Sequence, residues 1–147
     1  MKTLKYLFCL LFAGISLSLA GCGSNDDDNN NGDVDTNVTV GWKEEANKLI
    51  LTTKYDFGTG AAKISLIEVL TFTFNGETCS GATCAMTFPS NYPDAALDVA
   101  FAELKKEYPS ATKSGKTITW PIPKASWENM TKSQIREAFK NYAGSIG

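Results

Sequence analysis

Apolar residues recur at every second position from residue 49 to residue 57, and this alternation constrains the fold more than any other feature of the chain. The odd-numbered set is apolar or aromatic except for one threonine: Leu49, Leu51, Thr53, Tyr55 and Phe57. Neighbouring side chains of a β-strand point to opposite sides of a sheet, so this spacing predicts a half-buried strand with the odd-numbered set facing the core. Glycines at positions 58 and 60 predict that the strand ends there.

A second alternation runs from residue 64 to residue 74, where the even-numbered positions are apolar except for Glu68. Residues 61–70 are also compatible with a short helix, so only residues 70–74 are predicted as strand without an alternative. The Asn75-Gly76 dipeptide predicts a turn after this strand. The chain therefore supplies at least two strands in succession that bury one face each.

Two more strands are predicted further along the chain. The apolar positions of the third are Cys84, Met86 and Phe88. Those of the fourth are Ile118, Trp120 and Ile122. Pro121 lacks a backbone N–H group, so it confines the fourth strand to a sheet edge or ends it early.

Two helices are predicted, one on each side of the fourth strand. Pro93-Asp94 is typical of a helix start, and Pro109 stops this first helix. Its apolar stripe is Leu97, Ala100, Phe101, Leu104 and Tyr108. The segment Thr131-Lys132-Ser133-Gln134 is a capping box that begins the second helix. Its apolar stripe is Ile135, Ala138, Phe139 and Tyr142.

This order of elements predicts the α+β class, with an antiparallel four- or five-stranded sheet and two helices packed on one face. Residues 38–40 would supply the fifth strand. Residues 38–147 then form a single domain. The chain contains no histidine, which excludes Ser-His-Asp and Cys-His nucleophilic systems and imidazole metal sites. With 14 basic and 16 acidic residues, it also lacks the basic excess expected of a nucleic-acid-binding protein.

The amino-terminal residues predict export. Lys2 and Lys5 precede an uncharged apolar stretch over residues 6–20, which is the layout of a signal peptide. The following Leu19-Ala20-Gly21-Cys22 resembles the lipobox of bacterial lipoproteins. This resemblance implies that residues 1–21 are removed and that Cys22 is acylated. Ordinary secretion and a retained membrane-spanning anchor are the alternatives.

Residues 23–37 contain five aspartates, five asparagines and a single apolar residue, Val34. Such a segment cannot bury enough apolar surface to fold, so we expect residues 22–37 to act as an acidic tether behind the lipid. The run Asp26-Asp27-Asp28 resembles the acidic export signal of Bacteroidetes lipoproteins, which implies display at the cell surface. The segment also matches several positions of a calcium loop, but Val38 stands where the bidentate glutamate is needed. We therefore expect no calcium site, and no metal or cofactor elsewhere.

Cys79 and Cys84 lie on a predicted hairpin. An exported chain meets an oxidising compartment, so we predict a structural disulfide between them. Unpaired thiols in the core are the alternative. Catalytic redox chemistry is not favoured because the spacing is wider than C-x-x-C.

Three side chains are candidates for chemistry or binding. Glu68 could be a buried general acid with a raised pKa, but the favoured interpretation places it in solvent through a register break, a local helix or a sheet edge. Trp120 and Trp127 flank a proline-stiffened loop and could stack on a sugar or anchor a partner. Core packing is the favoured interpretation for Trp120, which is in phase with Ile118, and Trp127 is the better candidate for binding.

These features predict a non-enzymatic lipoprotein of the outer membrane, anchored in the lipid bilayer through Cys22. Its domain would act as a binding or interaction module at the cell surface, with an envelope protein or a glycan as partner. A glycan-binding accessory lipoprotein is one alternative. A small hydrolase, which would need a concave site around Glu68, is the other.

Overall fold

The computed structural model describes residues 36–58 and 63–146. The predicted signal peptide, Cys22 and nearly all of the predicted tether lie outside these residues. The strands are β1 (Thr36–Glu45), β2 (Lys48–Phe57), β3 (Ile64–Asn75), β4 (Thr78–Thr87), β5 (Thr112–Ser114) and β6 (Thr117–Pro121). The helices are α1 (Asp94–Glu107) and α2 (Lys132–Ile146), and a 3₁₀ turn covers Lys124–Ser126.

The strands form one antiparallel sheet in the order β1-β2-β3-β4-β6-β5. The predicted α+β class is confirmed, but the sheet has six strands rather than four or five. The additional strand is β5, which pairs with β6 through a tight turn at Gly115, where φ is +56°. Only glycine adopts such a φ without strain, so this turn closes a three-residue strand that has no apolar alternation of its own.

The first and third strands are longer than the sequence predicted. β1 pairs with β2 over its whole length, from Thr36 opposite Phe57 to Glu45 opposite Lys48. β3 is extended from Ile64 onward, so the helical alternative does not apply to its described residues. Both strands gain backbone hydrogen bonds along β2, and this long-range pairing outweighs the weak local preference of residues 64–70 for a helix.

The β3–β4 hairpin contains a turn and a bulge. Gly76 follows Asn75 with a φ of +62°, as the first central position of a tight hairpin turn requires. The register shifts between Thr73 and Phe74, so that Ser80 has no opposite residue. The Ser80 hydroxyl donates a hydrogen bond to the Thr73 carbonyl oxygen over 3.2 Å. This extra residue changes which side chains of β4 face the core before and after it.

The core lies on the sheet face that carries the predicted inward set of β2 and the even-numbered residues of β3. Both helices cover this face. Tyr108, directly after α1, lies with its ring centroid 6.3 Å from that of Trp120. Phe139 of α2 meets Phe72 of β3 edge to face at 5.7 Å. The prediction that two helices pack on one face is thus confirmed.

Hydrogen bonds fix the amino end of each helix. The Thr131 amide donates to Gln134 Oε1 over 2.8 Å, and the Gln134 amide donates to Thr131 Oγ1 over 3.2 Å. These reciprocal bonds confirm the predicted capping box. At the start of α1, Lys116 Nζ on the β5–β6 turn donates to Asp94 Oδ1 over 2.6 Å and to the Tyr92 carbonyl oxygen over 2.5 Å. The helices therefore have defined positions over the covered face.

Candidate functional site

The predicted lipid attachment point precedes the described part of the chain. β1 begins at Thr36, so thirteen residues separate Cys22 from the sheet. Acylation of Cys22 stays a prediction. Within residues 36–58 and 63–146, neither helix is long and apolar enough to cross a membrane.

The predicted Cys79–Cys84 disulfide is wrong in this structure, where both thiols are free and buried. The two cysteines do not lie across a hairpin, because both belong to β4. Five residues of extended strand separate their Cα atoms by roughly 16 Å, whereas a disulfide needs about 4.4–6.8 Å. The bulge at Ser80 allows both thiols to face the core despite their odd spacing. Burial raises the pKa of both thiols, which disfavours the reactive thiolate.

Trp120 lies in the core, with 5% of its surface exposed. It stands opposite Cys84 of β4 and packs beside the Tyr108 ring. This is the core-packing interpretation of Trp120, and it leaves no indole face of this residue for a sugar. The two tryptophans therefore do not form a shared exposed platform.

Trp127 is half-buried after the 3₁₀ turn. Its indole Nε1 donates a hydrogen bond to the Ile122 carbonyl oxygen over 3.0 Å. The ring packs against the edge of the core. One part of the indole thus contacts the core, and the remainder is accessible to solvent. Of the two candidate tryptophans, Trp127 is therefore the one that can contact a ligand.

Glu68 is the main departure from the sequence-based interpretation. It was expected in solvent, but only 1% of its surface is exposed, so that expectation is wrong. β3 keeps its register with β2 at this point, where Glu68 stands opposite Thr53 on one side and Met86 of β4 on the other. Glu68 is therefore an inward-facing residue of a central strand, as its place in the alternation requires.

The surroundings of Glu68 shift several pKa values. Burial raises the pKa of the Glu68 carboxyl group to about 7. Its Oε1 atom has no hydrogen-bond partner in the described part of the protein. Burial first, and the Glu68 charge second, raise the pKa of Tyr55, and burial and the same charge also raise that of Tyr142 on α2. These side chains form a buried polar group beneath α2.

This buried group has no direct route to a substrate. A general acid must come within hydrogen-bond distance of the atom it protonates, and Glu68 is enclosed by core side chains on both neighbouring strands. Among the described residues, no three Cys, Asp or Glu side chains come together in a way that could hold a metal ion. The buried Glu68 carboxyl group has a raised pKa, and we expect it to affect the free energy of unfolding.

The opposite face of the sheet carries no described helix, and the sequence interpretation did not single it out. It presents a regular array of threonines: Thr39, Thr52, Thr71, Thr73, Thr83, Thr87, Thr117 and Thr119. Small apolar side chains lie between them: Ile50, Ile67, Val69 and Ala85. We call this surface the open face. Its sequence signal is the outward-facing set of β3, β4 and β6, which contains several threonines and no charged residue.

One group of charged residues lies at a corner of the open face, and Lys43, Glu45 and Lys48 lie at the opposite end of β1 and β2. Asp56 accepts a hydrogen bond from the Ser65 hydroxyl, and its Oδ2 atom lies 3.4 Å from Nζ of both Lys54 and Lys63. The Ser65 hydrogen bond, followed by those of the two lysines, lowers the pKa of Asp56. The charges of the open face thus lie toward its ends, and the Asp56 corner carries a paired aspartate.

A second ion-pair cluster joins β1 to α2 on the covered side. Arg136 donates to both carboxylate oxygens of Glu44, over 2.8 and 2.6 Å, and Lys132 Nζ lies 3.0 Å from Oε1. Hydrogen bonds from Arg136 and then Lys132 lower the pKa of Glu44 to about 2. The cluster fixes α2 over β1 and leaves the open face unobstructed by either helix.

Comparison with known proteins gives no family for this chain. No protein-family model matches the sequence, and comparison with curated proteins and with solved structures gave no match.

Proposed function

We propose that this protein is a lipid-anchored lipoprotein of the outer membrane, displayed at the cell surface, whose domain binds an envelope protein without catalysing a reaction. The amino-terminal signal and the lipobox ending at Cys22 support the location. The open face is the observation that carries the binding function, because a six-stranded sheet with both described helices on one side leaves a broad surface with an uncharged centre on the other.

The chemistry of the open face favours a protein partner. Sugar rings are commonly bound by stacking on aromatic side chains, and none of the described side chains of the open face is aromatic. β-Branched threonine, isoleucine and valine present methyl groups together with hydroxyl hydrogen-bonding groups, which suits a protein surface of mixed polarity. Ile67 is the exposed large apolar residue of this face, with 38% of its surface accessible.

A glycan-binding role has weaker support. Trp127 keeps part of its indole accessible, but Trp120 is in the core, so the second ring of a stacking platform is missing from this site. If a glycan is the partner, oligosaccharides should change the tryptophan fluorescence of the wild type and not that of Trp127→Phe. Hydrolase activity has no observation in its favour, because the Glu68 carboxyl group is enclosed.

The anchor is tested by metabolic labelling with a clickable palmitate. We expect label on the wild type and none on Cys22→Ala, with the wild type entering the detergent phase of a phase separation. Unlabelled wild-type protein would contradict the lipid anchor.

The binding face is tested by cross-linking in intact cells. Ile67→Lys places a charge on the open face, opposite Lys54 of β2. Val99→Lys is the matched control because Val99 is also an exposed large apolar residue, on α1, with 61% of its surface accessible. We expect a defined envelope protein to cross-link to the wild type and to Val99→Lys and to be lost from Ile67→Lys. Equal cross-linking of both variants would contradict the assignment of the open face.

A further inference from the structure

The two edges of the sheet differ in how far they can accept another strand. The β5 edge is only three residues long and ends at the Gly115 turn. The β1 edge is ten residues long, and no described strand pairs with its outer side. An outer strand carries a row of backbone N–H and C=O groups that can pair with another chain. The β1 edge is therefore the place where this sheet can be extended.

β1 lacks the features that usually prevent such pairing. It contains no proline, and its register with β2 is continuous from end to end, without a bulge. Residues 36–42 carry no charge. Charged side chains occur only at the carboxyl end of the strand, where Glu44 is already engaged by Arg136 and Lys132. Proteins that must keep an edge strand unpaired place lysine, proline or a bulge along it.

We propose that two copies of this chain associate by antiparallel pairing of their β1 strands about a two-fold axis. An axis perpendicular to the sheet is required, because it relates antiparallel strands and keeps the helices of both copies on one side. The result is a continuous twelve-stranded sheet with a continuous open face. This inference goes beyond the proposed function and does not rest on the lipid anchor.

Symmetry and charge together limit the possible registers of the pairing. Residues that lie opposite each other in an antiparallel pair point to the same side of the sheet. For two identical strands related by a two-fold axis, this requires that one residue lies on the axis, opposite the same residue of the other copy. A register centred on Lys43 or Glu44 would set like charges directly opposite each other, which is destabilising. A register centred on Val40 has no such pair.

The register centred on Val40 also completes an apolar row. Trp42 of each copy lies opposite Val38 of the other, and both side chains are half-buried at the edge of the core. Lys43 faces Asn37, and Glu44 faces Thr36. Nine residues of each strand overlap and form about eight backbone hydrogen bonds. The second copy thus covers apolar side chains that one copy leaves partly exposed.

Disulfide trapping in intact cells tests this pairing on the full chain. Directly opposed residues of antiparallel strands have Cα atoms about 4.5–5.5 Å apart, within the range that a disulfide spans. Val40→Cys should therefore give a reductant-sensitive dimer of twice the monomer mass on a non-reducing gel. Ile67→Cys, exposed on a central strand, is the matched control and should stay at the wild-type level.

A charge variant tests whether β1 itself carries the association. Thr39 and Gly41 face each other across the proposed axis, and both are exposed in a single copy, with open space around a Cβ atom placed at Gly41. Adding Thr39→Lys and Gly41→Lys to Val40→Cys sets lysine opposite lysine twice and should reduce the trapped dimer at least tenfold. Thr83→Lys with Thr112→Lys adds the same charge to the open face away from β1 and should leave the dimer unchanged.

Three results would overturn the proposal. Val40→Cys could remain monomeric under oxidising conditions. Ile67→Cys could be trapped as efficiently as Val40→Cys. The two lysine pairs could reduce the dimer equally, which would point to charge on the open face rather than to the β1 edge.

Discussion

The buried Glu68 carboxyl group makes the stability of this domain depend on pH in an unusual direction. In the unfolded chain the group has an ordinary pKa of 4.5, and burial raises its pKa to about 7 in the folded domain. As the pH rises between these values, the unfolded state loses the proton while the folded state keeps it. The unfolded state then binds fewer protons, so the free energy of unfolding falls with increasing pH.

The magnitude follows from the two pKa values. A change of one pKa unit corresponds to about 1.4 kcal/mol, so the Glu68 contribution decreases by about 3 kcal/mol between pH 4.5 and pH 7 and is constant above that range. This is a large part of the total stability of a small domain, which is typically about 5–15 kcal/mol. Well below pH 4.5 the same carboxyl group is protonated in both states and contributes no pH dependence.

Glu68→Gln isolates this effect because glutamine has nearly the same shape and does not titrate. The free energy of unfolding is measured by urea denaturation with tryptophan fluorescence at several pH values from 4 to 8. Subtracting the curve of Glu68→Gln from that of the wild type removes the pH dependence of all other groups. The difference should fall by about 3 kcal/mol across the range.

Glu137→Gln is the matched control, since Glu137 is exposed on α2. Its difference curve should stay within about 0.5 kcal/mol of zero. A flat difference curve for Glu68→Gln would refute the burial of an ionisable group at this position. A curve that rises with pH would mean that Glu68 is stabilised as a carboxylate by a cation.

Three other predictions concern thiols, packing and turns. Denaturation without reductant should expose both Cys79 and Cys84 to alkylation, which mass spectrometry of the peptides that carry them would count. A disulfide between the two cysteines would contradict the distance between their Cα atoms along β4. Phe139→Ala should cost about 3–5 kcal/mol because Phe139 is 1% exposed and packs on Phe72, whereas exposed Lys140→Ala should change stability by less than about 0.5 kcal/mol in the same urea assay. Gly76→Ala should lower stability by about 1 kcal/mol because φ is +62° at this position. Gly81→Ala should not lower stability, because Gly81 has an ordinary φ and open space around an added Cβ atom. Equal losses for the two variants would show that the positive φ of Gly76 is not the cause.

The elements that the sequence predicted best are those whose signals are local. The alternation from Leu49 to Phe57 depends only on the geometry of one strand, and its inward set is the one that faces the core. The Thr131–Gln134 capping box is closed by two hydrogen bonds within four residues. For the same reason, both helices lie where their apolar stripes and flanking residues indicated.

The candidate sites were harder to predict because they depend on distant residues. Whether Cys79 and Cys84 could bridge depended on the length of β4 and on the bulge at Ser80, and neither follows from five residues of spacing. The open face became visible only when the sheet order placed outward threonines from successive strands side by side. β5 exists only because β6 supplies its partner.

Glu68 shows most directly what the sequence determined and what the tertiary structure decided. By itself the sequence determined that position 68 belongs to the inward set of its strand, because the period of a β-strand is two. It could not determine that a carboxyl group would be tolerated there, since the charge suggested a break in the pattern. Only the tertiary structure decided the outcome: pairing with β2 on one side and β4 on the other keeps Glu68 in register and buried, with the cost of desolvation appearing as a raised pKa.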